Sequence, residues 1–340
     1  MREKDGGLAI TYAGSFPPPY GGVTVKNDLL CRCLSERVSI DKLDLGDVKR
    51  LDPKACLVFL RCLFSRNGIL IVGAAGEWRR RITNILYRVN MRKMKRSILV
   101  VMGGRTVDDS SYMQRLNCFK RVYVETESMK EQWEEHGATN VSIYPNCRLR
   151  HGIPVVPSCV QRESLGAVFC SLVCKDKGAD IVLGAAASLP EVGFHFYGQI
   201  EEDYEDEFAD AVSRMPNVHY HGIFNSAEDD VVEELSKYDV HLFPTRCPNE
   251  GVPGIIVETK IAGIPTIAAS VSYNQDLIED AKDGFLMQQN TAEELVYFLR
   301  ILQDDSAQLA SMRKNARASA EAFYADRYID EIVRELNSSD

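Results

Sequence analysis

Short apolar runs alternate with helical patterns along nearly the whole chain, and this alternation constrains the fold more than any other feature. In the first half, strands are predicted at 8–13, 69–73, 98–102, 121–125 and 141–144. Helical patterns lie between them, at Val23–Glu36, Trp78–Met94 and Ser128–His136. Short buried runs that alternate with helices are typical of parallel β–α–β units.

The pattern breaks at 151–164, where prolines and the loss of periodicity indicate a linker. Strands then resume at 167–172, 193–198, 218–222, 239–244, 265–269 and 284–287. Thr291 and Glu294 form a capping box that opens a helix through about Leu302, and helical patterns at 306–323 and 326–337 close the chain. The sequence therefore predicts an α/β protein with two doubly wound domains, at 1–155 and 156–321. Ligands of such folds bind at the carboxyl ends of the strands, and a cleft between two domains is the expected site.

Composition limits the classes of function. A length of 340 residues suits two domains. The net charge of −9 argues against a nucleic-acid partner. The ten cysteines lack zinc-ligand spacing and suit a reducing cytosol. No secretory signal and no apolar run of roughly 20 residues is present, so a soluble or peripheral protein is expected.

Several common site motifs are absent from the sequence. No G-x-G-x-x-G follows the first strand, and there is no Walker motif, no G-x-S-x-G and no Asp-x-Asp. His219 and His221 alternate on a predicted strand but lack a third metal ligand. These absences argue against a dinucleotide oxidoreductase, a P-loop enzyme and a metal-bridged nucleotide-sugar site.

The segment from Arg246 to Ser270 combines a glycine-rich turn with two acidic residues. A strand ends before it and a helix begins near Pro253, with Glu250 before the helix and Glu258 inside it. The first amides of a helix attract anions, while carboxylates accept hydrogen bonds from sugar hydroxyls. A sugar–diphosphate–ribose chain would meet these groups in that order. The alternative is a strand-to-helix turn with two solvated glutamates, and spacing alone does not decide between them.

This segment resembles the E-x7-E motif of retaining glycosyltransferases of the GT-B fold, in family 4, of the capsule, O-antigen and exopolysaccharide type. Four further segments resemble that family: FPPPYGGVTVKNDLL, SIYPNC, LVCKDKGADIVLGAAASLPEVGFHFYG and YNQDLIEDAKDGFL. The resemblance covers most of the chain and is strongest from Val168 to Met287. It implies two Rossmann-like domains facing a cleft, with the C-terminal end of the chain, about 322–340, packed back on the first domain.

The resemblance also implies roles for individual residues. Glu250 would contact the transferred sugar, Lys177 would neutralise the leaving diphosphate, and Glu258 would hold the ribose hydroxyls. The remaining donor-binding residues that it implies are Gly251, Val252, Pro253, Gly254, Ile255, Gly21, Gly22, Ser171, Gly222, Ile223, Phe224, Arg246 and Arg105. A lysine counter-charge replaces a metal in this scheme, so no metal or other cofactor is expected, and a UDP-sugar is the expected donor.

Three positions depart from the family pattern. Ser171 stands where the family usually has a phosphate-binding arginine, and Met102 where it often has a histidine. Asp276 replaces the usual glutamate of the closing segment. Lys177 would then bind the diphosphate alone or with help from Arg246 or Arg105.

A basic segment at 78–96 carries eight Lys/Arg and no acidic residue. Ile82, Ile85, Leu86 and Val89 form a helical stripe within it. One interpretation is a core-packing stripe with a solvated charged face. The other is contact with anionic lipid headgroups, as a membrane-bound acceptor would require.

The expected function is a retaining hexosyltransferase of cell-surface polysaccharide synthesis. Its partners would be a nucleotide-sugar, a glycan or polyprenyl-diphosphate-linked acceptor and an anionic membrane surface. We expect it in the cytoplasm or peripherally on the inner face of the cell membrane. The alternatives are an epimerase or phosphorylase on the same fold, or a non-catalytic scaffold that binds nucleotide-sugar or membrane.

Overall fold

A computed structural model describes residues 9–19, 21–103, 109–150, 164–224, 230–247 and 250–338. The chain divides into two compact units, one formed by Met1–Arg150 with Tyr324–Asp340 and the other by His151–Phe323. The domain boundaries predicted from the sequence, after 155 and after 321, lie a few residues from these unit boundaries. Nearly all of the predicted linker, at 151–163, lies outside the described residues.

Unit 1 contains a six-stranded parallel sheet in the order β2-β1-β3-β4-β5-β6. Its strands are β1 (Ile10–Gly14), β2 (Ile40–Asp44), β3 (Ile69–Ala74), β4 (Ile98–Val101), β5 (Arg121–Val124) and β6 (Val141–Ile143). Its first helices are α1 (Gly22–Ser35), α2 (Leu45–Lys49), α3 (Pro53–Phe64), α4 (Gly76–Val89), α5 (Met91–Met94), α6 (Ser110–Leu116) and α7 (Glu127–Glu135).

Strand β2 has no counterpart among the predicted strands. It lies at the edge of the sheet and pairs with β1 alone, from Ile40 with Ile10 to Asp44 with Gly14. Of its five residues, only Leu43 is buried. An edge strand with one solvated face needs few apolar residues, so its sequence lacks the buried run that identified the other strands.

The helix predicted at Trp78–Met94 is interrupted at Asn90, which separates α4 from α5. Asn90 has an extended φ of −151°, and its Oδ1 accepts a hydrogen bond from the Lys93 amide. Its Nδ2 donates to the carbonyls of Leu63 and Ser65 at the end of α3. The side chain thus caps α5 and ties it to α3, which a pattern of apolar residues does not reveal.

The C-terminal helix of unit 1 is α15 (Asp326–Asn337). Its Ile329, Ile332 and Leu336 are buried in one cluster with Leu30 and Leu34 of α1. Helix α15 therefore completes the core of the first unit although the second unit separates the two segments in sequence.

A buried ion pair joins the strand ends of unit 1. Lys26 of α1 lies 2.8 Å from Glu125 Oε1, and both side chains are almost fully buried. Lys26 Nζ also donates to the carbonyls of Val101 and Tyr144, while Glu125 Oε2 accepts from the Gly103 amide. One charged pair therefore connects α1 to the carboxyl ends of β4, β5 and β6.

Unit 2 contains a second six-stranded parallel sheet, in the order β12-β11-β10-β7-β8-β9. Its strands are β7 (Gly166–Cys170), β8 (Gly193–Tyr197), β9 (Val218–Tyr220), β10 (Val240–Phe243), β11 (Thr266–Ala269) and β12 (Gly284–Met287). Its α-helices are α8 (Ala179–Ser188), α9 (Glu205–Arg214), α10 (Val231–Ser236), α11 (Gly254–Ala262), α12 (Asn274–Leu277), α13 (Ala292–Asp304) and α14 (Ser306–Ser319). Short 3₁₀ helices lie at Glu202–Tyr204 and Ala320–Phe323.

The Thr291 half of the predicted capping box of α13 is present, but the Glu294 side chain bonds to residues before Thr291 and not to the Thr291 amide. The Thr291 side chain accepts a hydrogen bond from the Glu294 amide at 3.3 Å. The Glu294 carboxylate in turn accepts from the amides of Gln288, Gln289 and Asn290. The predicted α/β class is also confirmed, because both sheets are parallel and carry flanking helices. No helix in the described part of the chain is both long and apolar enough to cross a membrane.

Candidate active site in the second unit

The sheet of unit 2 has one point where the strand order reverses. Strands β7 and β10 are neighbours, yet the chain continues from β7 to β8 on one side and from β10 to β11 on the other. The helices that follow the two strands, α8 and α11, pack in separate apolar clusters. Such a reversal leaves a crevice at the carboxyl ends of the two strands, where ligands of this class of sheet bind.

Lys177 lies in the loop between β7 and α8, and the end of β10 holds that loop in place. The Arg246 amide donates to the Asp176 carbonyl at 2.8 Å, and Thr245 Oγ1 donates to the same carbonyl at 3.4 Å. On the other side of Lys177, Gly178 lies against the backbone of Pro244. Asp176 and Gly178, the two neighbours of Lys177, therefore both contact the segment that runs from the end of β10 towards Glu250.

Gly178 allows this close approach in two ways. Its φ is +80°, a left-handed conformation that other residues adopt at a cost. A Cβ atom added there would lie 2.1 Å from the Pro244 carbonyl oxygen. The glycine is therefore required both by its backbone angle and by the space available.

The Gly178→Ala variant should consequently lose about 2–5 kcal/mol of unfolding free energy, from left-handed strain and the steric clash together. Denaturant unfolding of the ligand-free protein measures this loss. The matched control is Gly222→Ala, because Gly222 has a similar φ of +82° but no described atom within 4 Å of an added Cβ. The control should lose about 1–2 kcal/mol. Equal losses in the two variants would contradict the role of the contact with Pro244.

Lys177 and Glu250 meet although they are 73 residues apart in sequence. Lys177 Nζ forms an ion pair with Glu250 Oε2, and both side chains are mostly buried. Thr245 Oγ1 lies 3.3 Å from the same carboxylate oxygen, and Ser272 Oγ donates to the Glu250 carbonyl. The two residues that the sequence analysis names as catalytic therefore lie in contact, at the strand ends where the sheet order reverses.

Glu258 lies in the second turn of α11, which begins at Gly254. The N-cap residue Pro253 offers no side-chain cap, and the first turn contains no acidic residue. The first amides of a helix lack intrahelical partners, so this helix end can accept an anion. Burial and, to a smaller extent, the Glu258 charge raise the pKa of Cys170, the last residue of β7, to about 12.

Arg246 is engaged by an acidic side chain. Its guanidinium forms a bidentate pair with the Asp180 carboxylate at 2.6 and 2.8 Å, and Nη1 donates to the Lys175 carbonyl. The hydrogen bond that Arg246 donates to the Asp180 carboxylate is the main cause of the raised pKa of Arg246. Since Asp180 is in the first turn of α8, this pair fastens the end of β10 to the Lys177 loop.

Ser171 and Gly222 follow β7 and β9, the two strands that flank β8. The Ser171 amide donates to the Tyr197 carbonyl, and the Gly198 amide donates to the Gly222 carbonyl at 2.9 Å. A Cβ atom on Gly198 would lie 1.8 Å from the Ser171 carbonyl oxygen. Beyond Gly222, Ile223 is exposed and Phe224 makes an edge contact with Tyr197. Gly198 therefore contacts both Ser171 and Gly222, two residues predicted to bind the donor.

Two other predicted residues, Gly21 and Gly22, belong to unit 1. The Gly21 amide donates to Thr24 Oγ1, and Gly22 is the first residue of α1. Met102, where the family pattern has a histidine, is buried at the end of β4. Arg105 lies outside the described residues.

The sequence analysis missed Thr245, Ser272, Asp180 and Gly178, which contact or position Lys177 and Glu250. Of these, Gly178 gave the clearest signal, because a glycine directly before an apolar helix often marks a left-handed turn. Among the described residues, no group of three or more His, Cys, Asp or Glu side chains is arranged to hold a metal ion.

A family model described as "Glycosyl transferases group 1" matches residues 167–319. The matched residues all lie in the second unit. An uncharacterized glycosyltransferase of Haemophilus influenzae is 26% identical to this chain over 239 residues, which cover 67% of this chain and 64% of that protein. A UDP-Gal:alpha-D-GlcNAc-diphosphoundecaprenol alpha-1,3-galactosyltransferase of Escherichia coli is 32% identical over 89 residues, which cover 26% of this chain and 22% of that protein. The matches thus span less than two thirds of the length of these curated relatives.

The fold is also similar to solved structures over nearly its whole length. The crystal structure of Anabaena Alr3699/HepE in complex with UDP superimposes with a TM-score of 0.72 at 14% identity, covering 96% of this chain and 99% of that chain. A second structure of that protein, in complex with UDP-glucose, gives a TM-score of 0.68 at 15% identity, covering 97% and 99%. At these identities the likeness concerns the fold. It supports the GT-B class that the sequence resemblance implied.

Proposed function

We propose that the chain is a retaining glycosyltransferase of family 4 type that uses a nucleotide-sugar donor. The observation that carries the proposal is the contact between Lys177 and Glu250 at the ends of β7 and β10. A cation, a carboxylate and a helix end without a side-chain cap follow these two strands. This is the set of groups that a sugar linked to a diphosphate requires.

The donor lies along this edge with its parts matched to these groups. Glu258 accepts hydrogen bonds from the ribose hydroxyls, and the backbone amides at 251–255 bind the diphosphate. Glu250 accepts from a hydroxyl of the transferred sugar. Ser171, Gly222, Ile223 and Phe224 line the nucleoside end. Arg246 contributes through its pair with Asp180, which positions the Lys177 loop.

In the transfer step, the bond between the anomeric carbon and the diphosphate oxygen breaks, and its electron pair leaves with the diphosphate. The acceptor oxygen forms the new bond on the same face of the sugar, which retains the configuration. The acceptor proton passes to the leaving phosphate, so no protein nucleophile is needed. Lys177 stabilises the negative charge that develops on the diphosphate, because a fixed cation in a partly buried site needs little reorganisation.

Lys177 must change partner during this cycle. In the structure its ammonium is paired with Glu250, and in the donor complex it pairs with a phosphate oxygen. The exchange releases the Glu250 carboxylate to accept from the sugar. Donor binding would thereby bring both residues into their working positions together.

The donor we propose is a UDP-sugar, and the transfer is proposed to need no metal because Lys177 supplies the counter-charge. Crystal structures of a fold neighbour hold UDP and UDP-glucose, which supports this base. The proposed acceptor is a glycan or a polyprenyl-diphosphate-linked sugar in the synthesis of a capsule, O-antigen or other cell-surface polysaccharide. The name of the E. coli relative supports a lipid-linked acceptor. Such an acceptor would place the protein peripherally on the inner face of the cell membrane, in contact with anionic headgroups through residues 78–96.

Nucleotide binding tests the donor site directly. UDP at about 100 times its dissociation constant, with EDTA present, should stabilise the protein by about 2.7 kcal/mol. The measurement is a thermal shift against UDP, GDP, ADP, CMP and NAD. The Glu258→Ala variant should bind UDP about 10–100-fold more weakly, since it loses hydrogen bonds to a charged acceptor.

The control for this experiment is Glu279→Ala. Glu279 is an exposed glutamate of the same unit and pairs with Lys282. It should leave the UDP shift unchanged. A shift that survives in Glu258→Ala, or that needs a divalent metal, would contradict the proposed site. Inversion of the anomeric centre in the first product, read by NMR, would exclude the retaining mechanism.

A further inference from the structure

Helix α3 carries apolar side chains on the face that does not pack against the core. Leu57, Leu60 and Phe64 follow the i, i+3, i+7 spacing of one helix face and are 49%, 50% and 59% exposed. On the other face, Phe59, Cys62 and Leu63 are buried. The helix is therefore apolar on both faces, whereas a surface helix of a soluble domain normally presents a polar outer face.

The exposed apolar residues are concentrated around this helix. Among the described residues, eleven large hydrophobic side chains are exposed, and seven of them lie between Leu51 and Val89. In addition to the three above, these are Leu51, Val58, Tyr87 and Val89. We call the exposed residues of this group on α3 (Leu57, Val58, Leu60 and Phe64) the α3 stripe.

The predicted apolar stripe of the basic segment is only partly exposed, at Val89. Ile82 and Leu86 are fully buried, so the core-packing interpretation is correct for them. Arg79 and Lys93 are also buried. Arg80 and Arg81 form ion pairs with Asp109 and Glu77. Four of the eight cations of the basic segment are therefore buried or paired. The other four are exposed and can bind another molecule: Arg88, Arg92, Lys95 and Arg96.

Those four cations belong to the same surface as the α3 stripe. Lys93 Nζ donates to the Cys62 carbonyl at 2.6 Å, and Asn90 Nδ2 donates to the carbonyls of Leu63 and Ser65, so α5 is fastened to the end of α3. Helix α3 and its C-terminal turn add further exposed cations. No ion pair with a described residue is formed by Lys54, Arg61, Arg66, Arg88, Arg92, Lys95 or Arg96.

The charge of the segment that follows Asp52, the N-cap residue of α3, is predominantly positive. Residues 54–96 contain eleven Lys/Arg and one acidic residue, Glu77, in a chain whose net charge is −9. A concave pocket of ≈ 400 Å³ is lined by Met91, Arg92, Lys95 and Arg96. An apolar stripe bordered by unpaired cations is complementary to a surface that offers both acyl chains and phosphates.

We propose that α3 is a monotopic membrane anchor: the α3 stripe inserts into the acyl boundary of an anionic bilayer, and the bordering cations bind its phosphate headgroups. The contact proposed from the basic segment alone was electrostatic. The structure identifies α3 as the element that would insert into the bilayer. It also shows that four of the eight cations of the basic segment are buried or paired within the protein. This inference concerns unit 1 and is tested without a sugar donor, so its failure and that of the proposed transfer reaction are distinguishable.

The test is co-sedimentation of the full chain with vesicles of phosphatidylglycerol and phosphatidylcholine, compared with phosphatidylcholine alone. Wild type should partition at least about 10-fold more strongly to the anionic vesicles, and added salt should weaken that binding. The triple variant Leu57→Ser, Leu60→Ser, Phe64→Ser should lower the partition coefficient about 100-fold. Arg92→Gln, Lys95→Gln, Arg96→Gln should lower it by a similar factor.

Matched controls come from unit 2. Tyr297→Ser removes an exposed apolar side chain, and Arg300→Gln removes an exposed cation of the same helix. Both should bind vesicles as wild type does. Because all the substituted residues are exposed, circular dichroism and the melting temperature should remain unchanged, and they identify any variant that fails to fold.

Insertion depth decides between anchoring and surface adsorption. In a Phe64→Trp variant, lipids brominated on the acyl chains should quench the fluorescence of the new tryptophan. The wild-type protein, which contains Trp78 and Trp133, gives the background fluorescence. Salt-sensitive binding without such quenching would overturn insertion. Equal partition to neutral and anionic vesicles would overturn the charge complementarity. Absence of vesicle binding together with dimerisation abolished by the serine variant would assign the α3 stripe to a second copy of the chain.

Discussion

The Lys177→Ala variant is expected to lower the turnover number for sugar transfer by about 10²–10³, which corresponds to about 2.7–4 kcal/mol of lost transition-state stabilisation. Backbone contacts hold Asp176 and Gly178 on both sides of Lys177, so after the exchange of Glu250 for a phosphate oxygen the ammonium stays at the same loop during the chemical step. Removing such a preorganised charge affects the transition state, where the diphosphate is most negative, more than it affects donor binding. The measurement is the initial rate at saturating donor.

Lys175→Ala is the matched control for this variant. Lys175 lies two residues away in the same loop, but its side chain is exposed and pairs with Glu207. It should retain nearly full turnover, because an exposed pair contributes little. Equal rate losses in the two variants would show that the net charge of the loop determines the rate, and that the position of the Lys177 ammonium does not. Full activity in Lys177→Ala would remove Lys177 from the mechanism, and the absence of any transfer by wild type would favour the scaffold alternative.

The Lys26→Met variant is expected to destabilise unit 1 by about 3–5 kcal/mol, because it leaves the Glu125 carboxylate buried without its cation. Burial of an uncompensated charge is among the largest single-residue effects known for folded proteins. Denaturant unfolding measures the loss.

A double variant separates the charge penalty from lost packing. Lys26→Met combined with Glu125→Leu should recover a large part of the stability, because two apolar groups of similar volume replace a buried pair at little cost. The surface control is Arg50→Met, which breaks an exposed pair with Asp47 and should change stability by less than about 1 kcal/mol. A double variant no more stable than Lys26→Met would indicate that the hydrogen bonds to Val101, Tyr144 and Gly103 dominate.

The elements with two buried faces could be predicted from the sequence. Strands β3, β4 and β11 carry continuous runs of buried residues, because both faces of the inner part of a parallel sheet are covered by helices. Strand β2 lacks such a run because it is an edge strand with a solvated face. The break at Asn90 also has no apolar signature, since it depends on carbonyls of α3 that are distant in sequence.

The candidate site residues were predicted from the sequence, but their ion pairs were not. The positions of Lys177, Glu250 and Glu258 were predicted from motif resemblance. That Lys177 pairs with Glu250, and that Arg246 pairs with Asp180, depends on the neighbouring order of β7 and β10. No local pattern encodes that order, because it brings together residues more than 60 positions apart.

The sequence by itself determined the class of fold, the helix-opening glycine turn and the acidic pair around it, because each depends on the local period or on backbone freedom. Only the tertiary structure decided which charges are in contact, which cations of the basic segment are buried and which face of α3 is exposed. Burial and ion pairing are properties of the packed chain. An apolar residue has the same local signature whether a helix, a sheet or solvent lies against it.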